Sequence, residues 1–236
     1  MRYRRTTVSV FYIASLLFVF SFVFFGFTKA QSLQQPQFLF SWRASNSYVP
    51  SFYNGKDLPG SQSQITASFE LISGGKVVNI ANQSIYWYLD DVLIGGGAGV
   101  QQITFSPFGT APASEDLRVE LPSYPGDYLI HEVNIPVMNP LVVINSPYPN
   151  NQFSGTNATA TALSYFFNTQ AANLSFVWSV NGQSGSNAEN PDILQINMPA
   201  KTPSGSTIAI SLQVQNSQNN QSADTSEDLT YQNQLQ

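Results

Sequence analysis

The sequence predicts an all-β protein that contains two copies of one strand-rich domain behind an apolar N-terminal segment. Apolar and polar residues alternate in many short segments, and turn residues recur about every 10 positions between them. Outside the first 30 residues no window shows the 3.6-residue apolar period of an amphipathic helix. This rhythm indicates a sandwich or barrel of antiparallel strands rather than alternating strands and helices.

The repeat centres on two strands that each carry a tryptophan. Residues 85–91 and 176–182 alternate apolar and polar side chains around Trp87 and Trp178, and both end at a turn pair. Trp87 and Trp178 are 91 residues apart, and eight further positions match at the same offset. The nine pairs are Ile85/Phe176, Trp87/Trp178, Leu89/Val180, Ile103/Leu194, Phe105/Ile196, Pro112/Pro203, Leu117/Ile208, Val119/Ile210 and Leu121/Leu212.

The N-terminus has the composition of an export segment. Three arginines within the first five residues precede an apolar run from Val8 to Phe27, and Thr28-Lys29-Ala30 places small residues before Gln31. This pattern predicts a signal peptide that is cut after Ala30. The apolar run is also long enough to span a bilayer as an uncut signal-anchor helix. Because the arginines hold the N-terminus inside, both alternatives place the rest of the chain outside the cytoplasm.

The composition excludes several classes of partner and of stabilising bond. Residues 1–30 carry four of the nine basic residues and none of the fourteen acidic ones, so the rest of the chain has a net charge of −9. Without a basic stripe, nucleic acids and anionic lipid surfaces are not expected as partners. The chain has no cysteine, so neither disulfides nor a lipid-modified cysteine is possible.

The order of segments predicts the domain organisation. The joint between the two copies is expected at residues 136–140, where two prolines favour a short, stiff connection. An aromatic insertion at residues 44–63 has no equivalent in the second copy, and long structured insertions are often functional. The predicted segments are 1–30 (signal peptide or signal anchor), 31–37 (linker), 38–137 (first domain) and 138–236 (second domain).

The repeat resembles bacterial cell-surface domains of the immunoglobulin-like and PKD-like kind. The Trp-centred strand ends in Asp90-Asp91 or Asn181-Gly182 and is followed by an Ile-x-Phe or Leu-x-Ile strand and then by a strand with three alternating apolar residues. In those domains the tryptophan of the third strand is the buried core anchor, a role that the resemblance gives to Trp87 and Trp178. The resemblance implies two tandem immunoglobulin-like β-sandwiches that serve as spacers, stalks or adhesive modules.

The chain contains no constellation that indicates catalysis. His131 is the only histidine and has no second histidine or cysteine with which to form a metal site or a dyad, so a structural role is expected. No cofactor is expected. A weak Ca²⁺ site from Asp90, Asp91 and Asp127 is conceivable, because loop oxygens suit that ion, although no loop has alternating ligand spacing. The chain is therefore not expected to be an enzyme.

Aromatic residues supply the candidate contacts with a ligand or partner. If Ile85, Trp87 and Leu89 point inward, the alternation places Tyr86 and Tyr88 on the opposite face of their strand. One interpretation is that the aromatics of the 44–63 insertion cover this face; the other is that exposed tyrosines stack on sugars or anchor a protein. The candidate contact residues are Tyr48, Tyr53, Tyr86 and Tyr88, with Phe52 beside them in the insertion.

These observations predict an exported, non-enzymatic structural or adhesive module of the cell surface. It would be either membrane-anchored through the N-terminal helix or secreted, and could be an accessory of a larger envelope or pilus-like assembly. The expected partners are other surface proteins or glycans. The alternative function is a carbohydrate-binding surface protein that uses its exposed tyrosines.

Overall fold

A computed structural model describes residues 35–185, 187 and 189–233, which form sixteen strands and two short 3₁₀ helices. The predicted signal or anchor segment 1–30 lies outside these residues. Among them, no helix has the length and apolarity needed to cross a membrane. The strands are β1 Gln37–Ser45, β2 Gln64–Ser73, β3 Lys76–Val77, β4 Ser84–Leu89, β5 Val92–Ala98, β6 Gln102–Phe105, β7 Ala113–Tyr124, β8 Asp127–Val137, β9 Leu141–Asn145, β10 Gln152–Phe153, β11 Asn157–Tyr165, β12 Leu174–Val180, β13 Gln183–Gly185, β14 Ile193–Asn197, β15 Thr207–Asn216 and β16 Ser222–Tyr231.

The first eight strands, which we call the N-terminal strand set, form two sheets. In one sheet β2 is central, with β1 along one edge and both β3 and β6 along the other. The second sheet has the order β5-β4-β7-β8, and all its pairs are antiparallel. Alternate residues of β2, β4 and β7 are buried in one hydrophobic cluster, so the two sheets face each other across a shared core.

The last eight strands, the C-terminal strand set, repeat this arrangement. One sheet has the order β14-β11-β9, and the other has the order β10-β16-β15-β12-β13. Thus β9, β11 and β14 correspond to β1, β2 and β6, while β12, β13, β15 and β16 correspond to β4, β5, β7 and β8. In each set three of these strands face a sheet of four strands in the order β5-β4-β7-β8 or β13-β12-β15-β16. This is the C′-C-F-G order of an immunoglobulin-like β-sandwich. The all-β prediction and the immunoglobulin-like fold are confirmed; the predicted domain boundaries stay a prediction.

A buried tryptophan lies at the centre of each hydrophobic cluster. Trp87 is 0% exposed and Trp178 is 1% exposed. The indole N–H of Trp87 donates to the backbone oxygen of Val100 at 2.8 Å, and that of Trp178 donates to the oxygen of Pro191 at 3.0 Å. Both acceptors come 13 residues after their tryptophan. Each indole therefore buries its ring without leaving its N–H unpaired.

The strand pairing corrects the alignment of the repeat at one end. Trp87 pairs with Val119 in β7, but Trp178 pairs with Leu212 in β15, so Val119 corresponds to Leu212 rather than to Ile210. The loop before β15 is two residues longer than the loop before β7. The single offset was therefore wrong for this strand, because a shift of two residues keeps every side chain on the same face of a strand and leaves the alternation unchanged.

The glycine run at 95–99 lies mostly within a strand. Strand β5 extends through Gly95, Gly96 and Gly97 and pairs with β4 across a bulge between Trp87 and Tyr88. A Cβ on Gly95 would lie 2.7 Å from the Ile103 side chain, and one on Gly96 would lie 2.6 Å from the Ile85 carbonyl oxygen. The glycines thus permit close approach at the sheet edge rather than chain mobility.

His131 packs between aromatic rings at the edge of the N-terminal core. Its ring stacks on Phe38 with centroids 5.1 Å apart and lies 5.3 Å from the ring of Phe40. Partial burial lowers the pKa of His131 from its ordinary value of 6.5, because the charged form loses hydration there. The histidine joins β8 to β1, which belong to opposite sheets, so its role in this structure is packing.

We predict that Trp87→Ala destabilises the N-terminal strand set by about 3–5 kcal/mol, because it removes a large, fully buried side chain. Chemical denaturation followed by circular dichroism measures this change. Val92→Ala in the neighbouring strand is the control, since Val92 is 53% exposed and should change the unfolding free energy little. An unchanged unfolding free energy for Trp87→Ala would place the core elsewhere.

We predict that the unfolding free energy falls as the pH is lowered from 7.5 to 5. Because the pKa of His131 is lower in the folded than in the unfolded chain, the unfolded chain binds a proton first as the pH passes below about 6.5. Denaturation across this range should show a smaller slope for His131→Phe, which retains a ring against Phe38 and Phe40 but cannot titrate. Equal slopes for both chains would rule out His131 as the source.

Candidate functional site

The 44–63 insertion forms a brace between the two strand sets. Tyr48 pairs with Phe167 in an antiparallel bridge just beyond the end of β11. The Tyr48 N–H donates to the Phe167 oxygen at 2.8 Å, and the Phe166 N–H donates to the Tyr48 oxygen at 2.7 Å. At the other end of the insertion, the Met138 N–H donates to the Pro59 oxygen at 2.8 Å. The insertion is therefore joined by its backbone both to the C-terminal strand set and to the connection between the sets.

Aromatic packing accompanies these backbone bonds. The Tyr53 ring contacts Tyr165 edge-on at 5.6 Å and Phe166 at 6.1 Å between centroids. The interpretation that the insertion covers the face of Tyr86 and Tyr88 is wrong, because Tyr48 and Tyr53 turn to the C-terminal strand set instead. The sequence gives no signal for this choice, since it depends on which partner surface the connection at 136–140 brings near.

Asn168 is the centre of the polar part of the brace. Its side-chain amide donates to the hydroxyl of the buried Ser63 and, at 3.4 Å, to the Asn46 backbone oxygen. Its N–H donates to the Gln221 side-chain oxygen at 2.7 Å, and its own Oδ1 accepts from Gln221 Nε2 at 2.6 Å. The side-chain amide of the buried Asn216 donates to the backbone oxygen of Asn168 at 3.3 Å. The loop after β15 is thus held in this network.

A groove of about 510 Å³ lies beside the brace, between the insertion and the C-terminal strand set. The insertion contributes one wall, which includes Tyr48 and Phe52, and Phe52 is 60% exposed. Strand β11 contributes Ala162 and Ser164, and the segment before β14 contributes Asp192. We call this cavity the junction groove. Its volume is within the range of small-molecule sites in proteins.

The electrostatics of the junction groove depend on one carboxylate. None of the described residues that line the groove is basic. Burial, and to a smaller extent the negative charge of Asp192, raises the pKa of Tyr48, so its hydroxyl stays protonated at neutral pH. The Ser164 hydroxyl oxygen is buried and has no hydrogen-bond partner among the described residues. The groove therefore combines aromatic surface with neutral hydroxyls and one hydrogen-bond-accepting carboxylate.

Tyr86 and Tyr88 lie elsewhere, on the outer face of β4 in the N-terminal strand set. The guanidinium of Arg118 lies 4.8 Å from the centre of the Tyr88 ring. Arg118 also pairs with Glu120 at 2.9 Å, and Glu120 accepts a hydrogen bond from Tyr128, which raises the pKa of that tyrosine. The structure therefore divides the four candidate tyrosines between two locations, with Tyr48 and Tyr53 at the brace.

The three carboxylates of the conceivable Ca²⁺ site have separate protein partners. Asp90 accepts from the Asp116 N–H at 2.9 Å, Asp91 pairs with Arg118, and Asp127 accepts from the Tyr128 N–H. Within residues 35–185, 187 and 189–233, no group of three or more histidine, cysteine, aspartate or glutamate side chains is arranged to hold a metal ion.

Tyr48 and Phe52 are among the residues that the sequence indicates, whereas the residues on the other side of the junction groove are not. Ala162, Ser164 and Asp192 stand out only when the two copies are compared strand by strand. Two large apolar residues of β2 are replaced by an alanine and a serine in β11, a difference that the pairing of these strands with β6 and β14 reveals.

No family model matches the chain, and no curated protein matches it. Solved structures that match include the fibronectin(III)-like modules of Clostridium thermocellum CbhA, with 17% identity over 79% of this chain and 94% of that chain and a TM-score of 0.27. The three N-terminal domains of the outer capsid protein Hoc of bacteriophage RB49 match with 14% identity over 81% and 59% of the two chains and a TM-score of 0.38.

A third match is a 282-residue C-terminal fragment of intimin in complex with the intimin-binding domain of its translocated receptor. It has 12% identity over 80% of this chain and 64% of that chain, with a TM-score of 0.29. This chain spans about three fifths of the Hoc fragment and a similar share of the intimin fragment. At these identities and TM-scores the matches carry no information about what this chain binds, and the immunoglobulin-like fold follows from its own strand order.

Proposed function

We propose that the protein is an exported, non-enzymatic structural module in which two tandem immunoglobulin-like domains form one stiff unit. The observation that supports this proposal best is the brace. Tandem domains move relative to each other unless their interface is large or specifically bonded. Here the insertion supplies backbone bonds at Tyr48, ring contacts at Tyr53 and the Ser63 hydroxyl that accepts a hydrogen bond from Asn168.

The mixture of interactions in the brace favours a fixed orientation. Aromatic contacts depend weakly on direction, whereas hydrogen bonds require donor and acceptor to be aligned. Ser63, whose hydroxyl accepts from Asn168 of the other strand set, is fully buried, so separating the sets would break a buried hydrogen bond. A stiff pair of domains suits a spacer or stalk that holds an adhesive surface at a set distance from the membrane.

The partners of such a module would be other surface proteins or glycans. Apolar side chains on outward faces, such as Tyr128 and Ile130 of β8, offer contact area to a protein. A role as an accessory of a larger envelope or pilus-like assembly is compatible with a stiff spacer. We propose no catalytic group. His131 packs at the edge of the N-terminal core, and the carboxylates of Asp90 and Asp91 are bonded to neighbouring residues.

We predict that the two strand sets keep one relative orientation in solution. Because the chain lacks cysteine, Glu132→Cys with Gln213→Cys introduces the only two thiols, one exposed position in each set. Spin labels at these two positions should give a single narrow distance distribution in pulsed electron paramagnetic resonance. The same pair combined with Tyr53→Ala and Asn168→Ala should give a broader distribution, because the ring contacts and polar bonds of the brace are lost.

Asn54→Ala is the matched control for this experiment, since Asn54 is an exposed residue of the same insertion. It should leave the distribution narrow. A broad distribution for the unmodified chain would identify a flexible tether and overturn the proposal of a stiff spacer. A brace variant that remains as narrow as the control would instead show that Tyr53 and Asn168 are not the source of the stiffness.

Export is the second part of the proposal, and the arginines and apolar run of residues 2–27 support it. We predict that the intact mass of the protein from its native cells corresponds either to a chain that begins at Gln31 in the soluble extracytoplasmic fraction or to the full chain in the membrane fraction. The first result would identify a released module and the second an anchored one. A full-length mass in the cytosol would contradict export.

A further inference from the structure

The junction groove lies where the second copy of the repeat has two smaller side chains than the first. The Phe69 N–H donates to the backbone oxygen of Gln101 at 3.1 Å, and the equivalent Ala162 N–H donates to the backbone oxygen of Asp192 at 2.7 Å. Strand pairing gives the same correspondence, since β2 and β11 meet β6 and β14 in matching register. Phe69 therefore corresponds to Ala162, and two residues further on, Leu71 corresponds to Ser164.

In the N-terminal strand set these two positions fill the core. Phe69 packs edge-on against Trp87 at 5.6 Å between centroids, and Leu71 is 0% exposed. In the C-terminal set Ala162 and Ser164 occupy the same positions and line the groove. A cavity of about 590 Å³ lies at the equivalent place in the N-terminal set, where Phe69 and Gln101 line it, so the smaller side chains change the lining of the cavity rather than create it.

Ser164 adds a polar group to this space. Its side chain is at a core position, 3% exposed, and its hydroxyl has no hydrogen-bond partner among the described residues. A buried unpaired hydroxyl destabilises the fold, whereas alanine at this position would avoid that cost. An unpaired hydroxyl in a concave, partly aromatic cavity is typical of a site that awaits a ligand group.

Asp192 provides a second difference between the copies. In the N-terminal set its equivalent, Gln101, uses its side-chain amide to bond the Phe69 oxygen at 3.2 Å. None of the described residues donates a hydrogen bond to the Asp192 carboxylate, which is half-buried at the edge of the groove. The carboxylate is thus available to accept hydrogen bonds from a bound molecule.

We propose that the junction groove is a binding site for a neutral saccharide unit, stacked on Phe52 and hydrogen-bonded by Asp192 and Ser164. A sugar ring has an apolar C–H face, which suits the exposed Phe52 ring, and a rim of hydroxyls, which suits a carboxylate and neutral hydroxyls. Tyr48 and Thr161, which also carry hydroxyls, are among the residues that line the groove. Because no described lining residue is basic, an anionic ligand has no counter-charge there.

An organic cation is the rival ligand, since aromatic rings and a carboxylate also attract positive charge. The groove favours the saccharide because its polar lining consists mainly of neutral hydroxyls, with a single carboxylate. This site differs from a sugar site at Tyr86 and Tyr88, which lie on the outer face of β4. The inference goes beyond the proposed spacer role, which does not depend on it.

The test is calorimetric titration of the full chain, purified in a detergent without a sugar headgroup. The probes are cellotetraose, maltotetraose, mannotetraose and chitotetraose, with tetramethylammonium as the cationic probe. At least one oligosaccharide should bind with a Kd of about 1 mM or tighter. Phe52→Ala and Asp192→Asn should each weaken that binding by about tenfold, the size of effect expected for losing one stacking or hydrogen-bonding group.

Two controls locate the site. Phe108→Ala removes a similarly exposed ring from the N-terminal strand set and should leave binding unchanged, as should Tyr86→Ala with Tyr88→Ala. Ser164→Leu, which introduces the residue of the first copy, should weaken binding because it replaces the unpaired hydroxyl with an apolar side chain. If that variant does not fold, Phe52→Ala still tests whether the ligand binds in the groove, because Phe52 is exposed and its loss should not affect folding.

The inference is overturned if none of the oligosaccharides binds, if only tetramethylammonium binds, or if binding is lost in the Tyr86 and Tyr88 variant but not in Phe52→Ala. None of these results would change the distance distribution between the two strand sets. Failure of the saccharide site and failure of the spacer role are therefore distinguishable.

Discussion

The structure depends on the burial of one indole in each strand set, with its N–H bonded to a backbone oxygen. Without disulfides, each core is held by packing, and the tryptophan is among its largest fully buried side chains. A buried indole N–H requires an acceptor. Val100 and Pro191 supply it, and both come just before the strand that closes the opposite sheet. The hydrogen bond therefore fixes one sheet against the other as well as filling the core.

The same framework produces different results in the two copies because different side chains occupy equivalent positions. Phe69 and Leu71 pack in the N-terminal core, whereas Ala162 and Ser164 line the junction groove beside the C-terminal core. A further pair of equivalent positions shows the reverse difference, with the polar residue in the N-terminal core. The buried Glu115, which accepts from the Gly109 N–H at 2.7 Å, corresponds to an apolar core residue of β15. The repeat thus conserves strand order and the tryptophan while its core composition varies.

The insertion links these differences to the relation between the strand sets. It emerges from the N-terminal set, but its aromatic rings and the Tyr48 bridge lie on the C-terminal set, where they also form one wall of the groove. A ligand in the groove would therefore contact both the brace and β11. Orientation of the two sets and access to the groove depend on the same twenty residues of chain, 44–63.

The sequence by itself determined the class of fold, the two tryptophan-centred copies and the alternation that decides which residues are buried, because strand periodicity is a local property of the chain. It could not determine register, since a two-residue shift preserves that periodicity, nor the strand formed by Gly95 and Gly96. Only the tertiary structure decided that Tyr48 and Tyr53 pack on β11 rather than over Tyr86 and Tyr88. Such contacts depend on how distant segments meet in space, and no local pattern in the chain encodes that.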